Sequence, residues 1–323
     1  MAGSLGLAAI SYPFWLLLFH RSVTRGLPAW LAPLWLTMAF AVPFAGFVCA
    51  LRLSSPELEN QPRVRSARRF AYLVITAPTV FTFMGVLNFM AGMPLSDLLL
   101  WAVLWIALLG AALLAPEGRG REPWPTLARW RIAHGISAAV LVLFVSFHLF
   151  NHLMGLIGPD VHKSVMAAGR TVYRNDFVQP LLVAAFLFQV ASGFRLAWHW
   201  SGERADGFRV FQIASGFYLL FFVVGHMNSV FIYARSYMKI DTNWMFAVGG
   251  PAGIIADPWN IRLLPHYWLG VFLVLGHLAA GMRIVMLSHG VARAPANTIF
   301  FSVVAGAFAL ATAILLGMCG VRL

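Results

Sequence analysis

Apolar residues in this chain gather into runs of about twenty, and the polar stretches between the runs hold nearly all of the charge. The runs fall near residues 4–20, 28–51, 70–93, 97–115, 131–155, 177–199, 208–234, 263–286 and 297–319. A helix rising about 1.5 Å per residue needs about 20 mostly apolar residues to cross a bilayer. The pattern predicts an all-α polytopic membrane protein with about nine transmembrane helices. The first run has no basic leader and no evident cleavage site, so it reads as a retained span. The connections 156–176 and 235–262 are long, Gly-containing and polar, as caps over a helical bundle would be. The polar, Arg-rich stretch 116–129 divides the chain into an N-terminal four-span part, residues 1–122, and a C-terminal five-span part, residues 123–323.

Composition agrees with the pattern. Of 323 residues, 60% are hydrophobic and 11% charged, where a soluble domain carries about 25% charged residues. The formal charge is +12, and every basic residue except Lys163 and Lys239 is Arg. These arginines follow the apolar runs and do not form one patch, which points to a membrane surface and away from nucleic acid. Fourteen of the 23 basic residues fall in the even-numbered connections, which places those connections and the N-terminus in the cytoplasm of a bacterial-type inner membrane. Trp130, Trp198, Trp200 and Trp268 stand at run ends, where interfacial aromatic belts form. Cys49 and Cys319 lie far apart inside apolar runs, so neither a disulfide framework nor a thiolate metal site is indicated.

The chemistry is carried by an internal duplication. The fifth run opens at Arg131 and reaches His148 seventeen residues later; the seventh opens at Arg209 and reaches His226 at the same offset. Ser137 and Ser215 each follow their Arg by six residues. In the sixth run Gln189 is followed by Gly193 and Arg195, and in the eighth His277 is followed by Gly281 and Arg283, with equal spacings. Seventeen residues put His148 and His226 about 25 Å from the cytoplasmic arginines, whereas Gln189 and His277 lie about 9 Å deep. Two helices thus present imidazoles at one outer level, as axial ligation of a heme requires. Ser137, Gly135, Gly193, Ser215, Gly216 and Gly281 are small enough for close helix packing or for a porphyrin face.

RIAHG (131–135) leading to His148 and then Asn151-His152, QIASG (212–216) leading to His226, and HLAAG (277–281) are similar to motifs of one known family. Over residues 124–323 the chain resembles the five-helix, two-heme cytochrome b membrane anchor of succinate dehydrogenases and fumarate reductases. The resemblance implies a C-terminal five-helix heme-binding bundle. In it, His148 and His226 hold the iron of an outer heme b, and His277 is one ligand of an inner heme iron. The partner of His277 falls on Gln189, a poor ligand, so the inner heme is expected to be absent, five-coordinate or ligated by an unforeseen residue. His199 lies almost three turns from Gln189, at the wrong depth. The four N-terminal spans have no counterpart in that family and are expected to pack against lipid or a partner.

The resemblance further implies an electron-transfer subunit that is not catalytic alone, linking flavoprotein and iron–sulfur partners on the cytoplasmic side to membrane quinone. His152, Asp160, His162, Asp176, Tyr233, Arg235 and His266 lie toward the outer ends, where quinone protons would be exchanged. A sensor, assembly factor or transporter on the same scaffold is the alternative. A ferric-reductase-like cytochrome would stack two hemes on one helix pair, and the runs are not expected to carry two suitably spaced histidines each.

Overall fold

The computed structural model describes residues 1–24, 26–58, 61–114 and 127–323, and among these the regular structure is entirely helical. In chain order the helices are α1 (Ala2–Val23), α2 (Ala32–Arg52), α3 (Pro62–Ile75), α4 (Ala77–Ala91), α5 (Asp97–Leu113), α6 (Ala128–Leu153), α7 (Pro159–Tyr173), α8 (Val178–Ser201), α9 (Gly207–Met227), α10 (Trp244–Ala247), α11 (Gly253–Ala256), α12 (Leu263–Ser288) and α13 (Arg293–Met318). Among the described residues, seven helical segments are long and apolar enough to cross a bilayer, and α3 with α4 makes an eighth if that pair is one span. The chain is thus built as an α-helical polytopic membrane protein.

The third expected span is not one straight rod. α3 and α4 meet at Thr76 with a bend of 65°. Pro78 stands in the first turn of α4 and has no N–H to offer the carbonyl one turn earlier, so the helical ladder is interrupted there. The fourth expected span is α5, whose 17 residues cover about 25 Å. Ser96 caps its N-terminus by accepting from the Leu99 N–H at 3.2 Å.

The dividing stretch 116–129 lies almost wholly outside the described residues, with Arg119 and Arg121, but the packing of the two parts is clear. They share one core, in which Leu5, Tyr12, Phe70 and Trp101 are continuous with Phe217, Tyr218, Leu264 and Leu273. Tyr72 of α3 stacks on Phe217 of α9 with centroids 5.5 Å apart and planes within 5°. Arg68, fully buried, donates to Leu53 O at 2.9 Å, Ser201 O at 3.0 Å and Gly202 O at 2.8 Å. It thereby ties the carbonyl ends of α2 and α8 together, where a cation is favoured. At the opposite end Arg262 pairs with Asp97 at 2.9 Å and lies 4.3 Å over the Phe81 ring. The N-terminal helices therefore cover α9 and α12 rather than standing as a separate bundle.

The helices that carry the expected heme chemistry pack unevenly. Among the described residues α9 buries seven and α12 ten, whereas α6 buries Leu141, Leu149 and Asn151 and α8 buries Ser192, Ala197 and Ser201. Both long connections cap the outer end. The first contains α7; the second contains α10 and α11, after α9 has continued as a wider π-helix over Asn228–Met238. Arg170 of α7 reaches Asp241 at 3.1 Å and Thr242 O at 2.9 Å, and Arg174 reaches Thr242 Oγ1 at 2.7 Å, so the two caps are latched together. At the inner end Arg69 lies over Trp198, Arg195 over Trp130 and Arg209 over Trp200, at 4.3 to 4.9 Å. Trp268 does not join this belt: its Nε1 donates to Thr312 of α13 at 3.1 Å, inside the helix interface.

Candidate functional site

At the outer level His148 of α6 and His226 of α9 come together with ring centroids 5.8 Å apart and planes 73° apart. A direct N–H···N hydrogen bond of about 3 Å would bring two such rings to about 5 Å. A metal held between them by bonds of about 2 Å places the centroids at roughly 6 Å. The observed spacing suits an interposed atom. Each imidazole leans on an aromatic ring one turn before it: Phe144 with His148 at 5.6 Å, and Phe222 with His226 at 5.8 Å. The duplication seen in the sequence is therefore repeated in the packing of the two ligand candidates.

The pair opens into a cavity of about 880 Å³ roofed by α7 and the second cap. His152, His162, Tyr233, Arg235 and His266 line it. Asp160 and Asp176, expected in the same region, are exposed and lie apart from it. His152 lies 4.7 Å from His148 and His162 lies 5.3 Å from His152, measured between ring centroids. The Asn151 amide donates to His162 Nε2 at 3.1 Å, which leaves the proton of that ring on Nδ1. His152 Nδ1, His162 Nδ1, His266 Nδ1 and Asn151 Oδ1 are all buried without a hydrogen-bond partner. Buried polar atoms are almost always satisfied in native structures, so four orphans around one chamber mark a place made for a polar ligand. His162, on α7 and outside the membrane helices, is pushed down to about 4 by burial and then by the Arg170 guanidinium, and is neutral at pH 7.

At the inner level the expected facing of His277 by Gln189 is replaced by another. The ring opposite His277 is His134 of α6, with centroids 6.4 Å apart and planes at 79°. Gln189 instead lies against α6. Its amide nitrogen donates to the His134 carbonyl at 3.2 Å and to His134 Nδ1 at 2.8 Å, while its oxygen accepts from the Ala138 N–H at 3.1 Å. Ser192 Oγ is 2.8 Å from His134 Nδ1, and Ser215 Oγ is 2.9 Å from His277 Nδ1. Both hydroxyl protons are committed within their own helices, Ser192 to Phe188 O at 2.6 Å and Ser215 to Phe211 O at 2.8 Å. Ser215 Oγ can therefore only accept from His277, which carries its proton on Nδ1 and keeps the Nε2 lone pair free, whereas His134 Nδ1 is held between Ser192 Oγ and the Gln189 amide.

The glycine beside each serine completes the arrangement. A Cβ on Gly193 would stand 3.3 Å from His134 Cε1, and one on Gly216 would stand 3.4 Å from His277 Cε1. Both histidines thus lie against bare backbone. A Cβ on Gly135 or Gly281 would meet nothing within 4 Å, and the Ser137 hydroxyl is buried without a partner.

His134 stands inside RIAHG (131–135) but is not among the ligands expected from the sequence. Two signals pointed to it. One is its fourteen-residue spacing from His148, which puts two histidines on one face of α6. The other is a near-identical heptapeptide, FQVASGF at 188–194 and FQIASGF at 211–217, whose serines are the two that hold the inner imidazoles.

No cluster of three or more His, Cys, Asp or Glu able to hold a bare metal ion occurs among the described residues. The sites are pairs, and a porphyrin iron, which brings four nitrogens of its own, asks the protein for two. No family model matches the chain, and neither a curated protein nor a solved structure matches it.

Proposed function

We propose that this chain is the membrane-embedded b-type cytochrome subunit of an oxidoreductase, passing electrons between a peripheral redox partner and membrane quinone, with heme b held at the outer level by His148 and His226. The observation that carries this reading is the 5.8 Å approach of two imidazoles from separate helices beside a cavity edged with unpartnered polar atoms. When bound, heme b supplies reversible one-electron chemistry at its iron.

The protein's own part is to bind and orient. Phe144 and Phe222 fix the rotation of the two ligand rings, and α7 with the second cap lines the outer end of the chamber. His162, its proton placed on Nδ1 by Asn151, offers a hydrogen-bond donor, and His152 beside it offers a second ring for holding or exchanging a proton with a quinone oxygen. At the inner end Arg204, Arg209 and Arg283 gather around a second, smaller cavity of about 290 Å³. This cationic surface suits an acidic docking partner, here the flavoprotein and iron–sulfur subunits. The excess of arginine in the even-numbered connections supports the reading that this end faces the cytoplasm of a bacterial-type inner membrane.

The test is the absorbance spectrum of the purified chain. A low-spin b-type spectrum is expected, and His226→Ala should remove the component owed to the outer site. An unchanged spectrum in that variant would withdraw His226 as a ligand.

A further inference from the structure

We infer that His134 and His277 are the axial ligands of a second heme at the inner level, and that the repeated FQxASGF element is its ligand-orienting cradle. The inference rests on the reading of the chain as a heme protein but not on the outer pair, with which it shares no residue.

Three independent features converge on the inner pair. The first is spacing: 6.4 Å between centroids is too long for a hydrogen bond between the rings and suits one atom between them, by the same geometry as at the outer level. The second is tautomer. An imidazole binds iron through an unprotonated nitrogen, and the outer-sphere acceptor on its other nitrogen decides which one that is. Ser215 holds the Nδ1–H of His277, so that ring presents Nε2 to the space it shares with His134. The third is room. Gly193 and Gly216 let both rings sit against helix backbone.

Gln189 then becomes a positioning residue and not a failed ligand. Its amide clamps the backbone of α6 at His134 and Ala138 and touches the His134 ring. Because His134 and His148 share α6, one helix supplies a ligand at each level, about 21 Å apart along its axis. The inner ligands come from α6 and α12 and the outer ones from α6 and α9, so α8 holds no axial ligand and contributes only its cradle.

The experiment is heme quantification by alkaline pyridine extraction, together with a redox titration of the purified full-length chain and its variants. Two hemes per chain with two resolvable midpoint potentials are expected. His134→Ala should lower the stoichiometry from two to one and remove one potential while the other stays. Ser192→Ala keeps both ligands, and it should retain two hemes while shifting only the potential that His134→Ala removes. Loss of a heme in His134→Ala but not in His226→Ala would uphold the inner site and refute the outer one. One heme per chain, unaffected by His134→Ala, would overturn the inference. So would a Ser192→Ala protein whose two potentials both match those of the native chain.

Discussion

His134 and His148 leave α6 on the same face, fourteen residues and about 21 Å apart, and each meets an imidazole from a different helix. α6 is therefore the common post of two histidine levels, one near each side of the bilayer. The inner partner comes from α12 and the outer from α9, so the four rings draw on three helices.

The glycines of the cradle give a test that leaves every ligand in place. Gly216→Val puts a branched side chain where a single Cβ would already stand 3.4 Å from His277 Cε1. The inner heme is expected to be lost, or to turn high-spin as His277 is displaced, while the outer signal persists. Gly281→Ala, at a position where an added Cβ meets nothing, should leave both hemes in place. Spectra alike in the two variants would contradict the cradle.

Asp97 and Arg262 join the N-terminal helices to α12, and the side chain of Arg262 is 7% exposed. Asp97→Asn removes the carboxylate and leaves a buried guanidinium unpaired, which costs about 3 kcal/mol. Thermal unfolding in detergent should shift downward accordingly. An unchanged midpoint would show that the pair does not anchor the two parts to one another.

His162 makes the cap pH-sensitive. Its imidazole takes up a proton near pH 6.5 in the unfolded chain but only near pH 4 in the folded one, because burial and Arg170 oppose the charge. Between those values the folded state binds fewer protons. The stability it contributes is full above about pH 6.5 and is lost as the pH falls toward 4. Protection factors of the α7 amides, taken relative to the intrinsic exchange rate at each pH, should be lower at pH 5 than at pH 7.5, and His162→Gln should flatten that difference. Equal pH dependence in both proteins would remove His162 as the cause.

Much of this was legible in the sequence, and the parts that were not have physical reasons. The apolar runs located the membrane helices because a bilayer sets their length. The outer pair could be found because α6 and α9 each start from an Arg and reach a His at the same offset, so register alone fixed their depth. The break at Thr76 was hidden because hydropathy does not register a missing backbone donor, although Pro78 stood in plain view. His134 was hidden for a different reason. Aligning the α6–α8 hairpin with the α9–α12 hairpin sets Gln189 against His277. The two FQxASGF elements lie on α8 and α9, which run in opposite directions, so they escape a tandem alignment. Which helix faces which is a matter of packing, and periodicity carries no record of it.

The most direct measurement is the heme content of the purified native chain, read with its reduced-minus-oxidised spectrum. Two porphyrin irons per polypeptide, both low-spin with nitrogenous axial ligands, are what the four facing imidazoles require. A chain that folds, remains in the membrane and binds no heme when expressed with ample heme supply would contradict the account.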